Sequence, residues 1–191
     1  MNNLSATSPV LNGTRTRLPI PSLQSAFWPL CALIAAICLQ FSQVFRRSIN
    51  WDEFWHYSQI HQMADGTLTR PLQTLHTSLY RWVIDLPGTG VDHIVIIRLF
   101  MFACEMATTA AIFAIALRFS NRATALLCAL AYVSFPYVFQ HGYSFRFDPP
   151  AAALMMGTLW ILVSTRLEPR HIAFAGLLVG VAPMVSLKII L

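Results

Sequence analysis

The chain has 191 residues, of which 56% are hydrophobic and 11% charged, with a formal net charge of +5. A soluble domain carries about 25% charged residues, so this composition excludes a water-soluble globular fold and assigns the apolar content to lipid.

In chain order, residues 1–26 are rich in Ser, Thr, Asn and Pro and read as a flexible cytoplasmic tail. Residues 27–191 read as the membrane domain. Five apolar segments come near the ~20 residues a spanning helix needs: 27–45, 93–117, 123–139, 149–165 and 172–191. Their apolar residues run continuously instead of alternating, so the expected fold is all-α, with about five membrane helices. The first run is too long for a signal-peptide core and lacks an Ala-x-Ala exit, so it is expected to stay uncleaved.

Arginines set the orientation. The short loops at 118–122 and 166–171 carry two each, which by the positive-inside rule places them, and the N-terminus, in the cytoplasm. Asp52, Glu53, Asp65, Asp85, Asp92 and Asp148 then fall outside, against Glu168 alone inside. Acids contribute little to topology, so the asymmetry points to function.

The outer loop, 46–92, is the most informative stretch. Asn50 followed by Glu53 has the spacing of a helix-capping box. Trp51, Phe54 and Trp55 gather on one side of the helix that follows, as an interfacial helix requires. Pro71 is a good first position for a second helix, with Leu72, Leu75, Leu79 and Trp82 at helical spacing and Gln73, Thr74 and Arg81 around the other side. Asp65-Gly66 separates the two and Pro87-Gly88 ends the second. The expectation is two amphipathic helices on the outer membrane surface. That accounts for the aromatics but not for Asp52, a carboxylate kept beside a membrane at some cost.

A second acidic spot follows at Arg146-Phe147-Asp148, before the chain re-enters the membrane at Pro149-Pro150. Read as extended chain, Arg146 and Asp148 point the same way, either as a local ion pair or with Asp148 facing Asp52 across an outer cavity. Arg146 would then offer a planar fork to phosphate oxygens. Arg98 and Glu105, seven apart inside the second span, share a helical face and read as pathway charges of a small transporter or as structural pairs. Cys31, Cys38, Cys104 and Cys128 lie within expected spans and indicate neither disulfide nor zinc. His56 and His61, five apart, fall on different helix faces, and the six histidines look scattered.

Trp51-Asp52-Glu53 with Ala64-Asp65-Gly66, the Arg98 region and Phe145-Arg146-Phe147-Asp148, in that order relative to the spans, resemble the GT-C glycosyltransferases. The pattern is nearest the protein O-mannosyltransferase and aminoarabinose transferase branches. The resemblance implies an inverting transfer of sugar from a polyprenyl-phosphate donor to an acceptor hydroxyl at the outer face. It implies Asp52 and Asp148 as the catalytic acids, Asp52 as general base, with Glu53, Arg146, Arg46 and Arg47 on the substrate side. Arg146 is the first choice for stabilising the leaving phosphate, and Glu53 reads as more structural than Asp52. Asp148 would orient the acceptor or join Asp52 in holding a divalent cation. Expected partners are the lipid-linked sugar, a lipid, glycan or protein acceptor and membrane lipid, with no nucleic acid, in a bacterial inner (plasma) membrane. Family members are usually more than twice this long, and the chain stops within its last apolar run, so it is expected to be an N-terminal portion. The alternatives are a transporter and a non-catalytic assembly subunit.

Overall fold

The computed structural model describes residues 23–69, 72 and 75–187. The expected tail (up to residue 22), Pro71, Gln73, Thr74 and the end of the last apolar run lie outside these. The described residues are helical and contain no strand: α1 (Leu23–Arg46), α2 (Trp51–Ala64), α3 (His76–Leu79), a 3-10 turn (Arg81–Asp85), α4 (Gly90–Phe119), α5 (Arg122–Ser134), α6 (Pro136–His141), α7 (Asp148–Ser164) and α8 (Pro169–Val185).

Two helices are long and apolar enough to cross a membrane, over Ala26–Arg46 and Gly90–Phe119. At 1.5 Å per residue the 30 residues of α4 reach about 45 Å, well beyond a ~30 Å hydrocarbon layer. α5, α7 and α8 are shorter, at 13, 17 and 17 residues, the last two at the lower end of the ~17–25 residues with which helices span. The expected span at 123–139 is interrupted because Pro136 holds Phe135 extended, which ends α5 and starts α6. Along these helices the solvent-protein rule is inverted. Phe27, Trp28, Ile34, Leu39 and Phe45 of α1 and Ile172, Phe174 and Leu177 of α8 are exposed, whereas Gln40, Arg98, Glu105, Thr108 and Thr109 are buried. Apolar surface outside and polar groups inside suit a lipid solvent.

α4 is the central element. It packs on α7 and α5; α8 covers the far side of α7, and α1 lies on α5 through Leu33, Leu126, Ala129 and Val133. The outer loop folds over the upper part of α4, where Ile60, Tyr80, Val83, Ile97, Met101 and Phe145 make one core. Burying six such side chains is worth about 1.5–3 kcal/mol each before entropy is counted.

The first outer helix forms where the sequence places it. Asn50 Oδ1 accepts from the Glu53 amide at 3.0 Å and Glu53 Oε2 accepts from the Asn50 amide at 3.0 Å. The second does not form as one amphipathic helix. α3 is a single turn, Tyr80 breaks it, and the 3-10 turn follows. Leu75, Leu79 and Trp82 are exposed, on the face an interfacial helix turns to lipid, while His76, Thr77, Tyr80 and Val83 are buried against the protein. The Leu75 amide donates to the Met184 carbonyl at 2.8 Å, fastening this segment to the end of α8.

Candidate active site

The first turns of α2 send Asp52 and Glu53 in different directions, as adjacent helical positions must go. Glu53 points inward and is fully buried. Its Oε1 accepts from Arg98 Nε at 2.8 Å and from the Phe145 amide at 3.0 Å; its Oε2 accepts from Arg98 Nη2 at 2.6 Å and from Asn50. Arg98 in turn donates to the carbonyls of Val44, Arg47 and Ser48 at 3.1, 2.9 and 3.2 Å. All five guanidinium N–H groups are thus engaged, and three of them satisfy carbonyls where α1 ends. Burial alone would raise the Glu53 pKa; the bonds from Arg98, Asn50 and Phe145 outweigh it, so the carboxyl sits below its ordinary value. A carboxylate this fully engaged has no free face for a ligand, so the substrate-side place expected for Glu53 is not where the fold puts it.

Asp52 points the other way and its side chain is 50% exposed. Arg146 Nη1 pairs with Asp52 Oδ2, and Arg146 Nε with Asp148 Oδ2 at 3.2 Å. The Tyr137 hydroxyl donates to the same Asp148 oxygen at 3.1 Å, and its ring lies 5.9 Å from the guanidinium carbon. So Asp52 from the loop after α1 and Asp148 from the loop before α7 are brought together, with Arg146 between them. The extended geometry expected for Arg146–Asp148 is replaced by a helix start: Phe147 has helical dihedrals and Asp148 is the first residue of α7. There the helix N-terminus favours its negative charge, and Pro149 and Pro150 cost no helical hydrogen bonds. Burial works against the charge of Arg146, but Tyr137, Asp148 and Asp52 outweigh it and raise its pKa.

The remaining expected residues lie apart. Arg46 is exposed at the end of α1. Arg47 donates to the Gln140 carbonyl at 2.8 Å and lies 3.4 Å from the Tyr143 hydroxyl, tying α1 to α6. Glu105 does not meet Arg98; its Oε1 accepts from Gln40 Nε2 at 2.7 Å, with Gly142 packed close against the other oxygen. Arg98 and Glu105 are therefore held by separate neighbours, as the structural-pair reading of these two residues requires. Among the described residues no group of three or more His, Cys, Asp or Glu side chains is placed to hold a metal ion.

Sequence reasoning missed Tyr137, which falls inside an expected span, and a cluster of rings beneath the acids. His56 and His76 lie 5.3 Å apart, centroid to centroid, each within 5.5 Å of Phe145 and Phe147. The i, i+3, i+7 spacing of Glu53, His56 and Ile60 marks the buried stripe of α2 and could have found His56. Nothing local marks His76.

The family model for dolichyl-phosphate-mannose-protein mannosyltransferases matches residues 76–191, which takes in Arg98, Glu105, Tyr137, Arg146 and Asp148 and begins after Asp52. No curated protein and no solved structure matches the chain.

Proposed function

The chain belongs to the dolichyl-phosphate-mannose-protein mannosyltransferase family, a family of membrane glycosyltransferases, and from that premise we propose that it transfers a sugar from a polyprenyl-phosphate donor to an acceptor hydroxyl, with inversion at the anomeric carbon. The family's description favours mannose as the sugar and a protein as the acceptor. The observation that carries the reading is the open triad of Asp52, Arg146 and Asp148, one cation shared by two partly exposed carboxylates beside the membrane helices.

In the reaction the donor's phosphate takes the fork of Arg146, which binds phosphate oxygens in pairs, and this releases Asp52. The acceptor oxygen attacks the anomeric carbon, its proton passes to Asp52, and the bond from that carbon to the phosphate oxygen breaks with its electron pair going to phosphate. Arg146 meets the charge that develops there. Asp148, steadied by Tyr137, orients the acceptor. Glu53 and Arg98 hold this framework and take no part in the chemistry. Trp51, Phe54 and Trp55, exposed along α2, lie in the outer interface and keep the site at headgroup depth. The N-terminus is cytoplasmic and the reaction takes place on the opposite face of a bacterial inner membrane.

The test is transfer from polyprenyl-phosphate mannose to a peptide acceptor by the chain in lipid nanodiscs, with Asp52→Asn as the control at equal protein level. Transfer by the parent that the variant loses is the expected result. Equal transfer by both would remove Asp52 from the mechanism.

A further inference from the structure

Phe145 and Phe147 flank Arg146, and they go one way while Arg146 goes the other. Arg146 meets Asp52 and Asp148; the two phenyl rings meet His56 of α2 and His76 of α3. Tyr80 closes the cluster, 5.2 Å from both His76 and Phe145. The backbone between the rings is held from below, because the Phe145 amide donates to Glu53. The segment that carries Arg146 is thus seated by one backbone bond and a socket of two imidazoles.

Phenylalanines would fill such a socket as well. Among the described residues, His76 is 1% exposed and neither ring nitrogen has a partner; His56 is 7% exposed and its Nδ1 has none. The imidazoles therefore gain little hydrogen bonding in the closed arrangement, and polar nitrogens buried without partners oppose it. What distinguishes them from phenyl rings is that they can take a proton. Among the described residues the charged and titratable groups around the pair are Asp52 from α2, Arg146, Asp148 at the start of α7, and Tyr80. A protonated ring would sit buried next to the Arg146 cation, with Gln59 as a neutral neighbour.

We propose that His56 and His76 are positioning residues that act as an acid-released latch, seating the 145–148 segment, and with it Arg146 and Asp148 against Asp52, only while both rings are neutral. Burial pushes the His56 pKa down, with Asp52 opposing, and burial together with His56 pushes His76 down to about 3, with Asp148 opposing. A histidine whose pKa is depressed in the closed state stabilises that state above its open-state value of about 6.5 and loses the contribution as pH falls below it. Release then gains up to about tenfold per pH unit for each histidine between 6.5 and the closed-state value.

The latch holds whatever reaction the site performs, so it is tested without turnover. The full chain in nanodiscs is followed by hydrogen exchange of the 143–148 amides, corrected for the intrinsic pH dependence, and by imidazole NMR. Between pH 7 and 5 the expected outcome is a loss of protection at Phe145 of tenfold or more, while His56 and His76 stay neutral until that loss begins. The bonds from Arg98, Asn50 and Phe145 hold the Glu53 pKa below its ordinary value of 4.5, beneath this window. His56→Phe combined with His76→Phe keeps the rings and removes the proton sites; its protection is expected to be unchanged down to pH 5. Release in that variant at the same pH as in the parent overturns the latch. So does independent titration of both histidines near 6.5 with the segment still protected, an outcome read on the parent chain whether or not the variant folds.

Discussion

Asp52 and Glu53 are adjacent carboxylates, each paired with an arginine, and the two pairs have opposite fates. Glu53–Arg98 is 0% and 2% exposed and every polar atom of the two heads is used. Asp52–Arg146 is 50% and 19% exposed, and its arginine is shared with a second acid. Desolvation makes the first pair expensive to form and more expensive to break. Water makes the second cheap to open. A single residue step on α2 thus separates a fixed anchor from an ion pair that a ligand can rearrange.

The sharpest way to break that comparison is Glu53→Ala. It strands a buried guanidinium, and loss of about 3–5 kcal/mol, read as a collapse of folded protein in detergent, is expected. Asp52→Asn should leave thermal unfolding within about 1 kcal/mol while sugar transfer falls about 10²–10⁴-fold; a stability loss like that of Glu53→Ala would erase the distinction between the pairs. Arg146→Gln is expected to lower transfer about 10²–10³-fold, seen in kcat more than in KM. Acid titration separates the pairs by pH. Because the Glu53 pKa is depressed on folding, its contribution is complete above its ordinary value of 4.5 and disappears as pH falls below that toward the folded value. An Arg98→Met, Glu53→Leu double variant should lack this acid limb of the unfolding curve. The smallest effect is Asn50→Ala, which removes one half of the capping box and should cost about 1 kcal/mol.

What the sequence revealed follows the range of the interactions. The Asn50–Glu53 cap spans three residues, and its chemistry is complete within them. The helical class followed from continuous apolar runs, although Pro136 interrupts one of them. The facing of Asp52 and Asp148 was expected from the order of loops and spans, but no local pattern joins residues 94 apart to show that Arg146 bridges them. For Arg98 the sequence left a pathway charge and a structural pair both open; the partner lay 45 residues away in a loop. In α3 the leucines marked the exposed face, but nothing marked the buried one, because His76 and Tyr80 have ring partners at Phe145 and Phe147 that sequence could not disclose. Distant packing decided which face went inside.

The Glu53 carboxylate joins three stretches of chain made at different times. Arg98 lies 45 residues after it and Phe145 lies 92 after it. During synthesis, α1 and α2 therefore emerge with an acid that has no guanidinium to meet, and the carbonyls of Val44, Arg47 and Ser48 wait for the same side chain. Insertion of α4 supplies the arginine, and only then does the end of α1 acquire its bonds. The segment bearing Arg146 is made later still, and its Phe145 amide supplies the last of the donors to Glu53. The ribosome thus delivers the anchor in parts, and a chain halted before residue 145 has Arg98 but neither the Phe145 bond nor the Arg146 that pairs with Asp52.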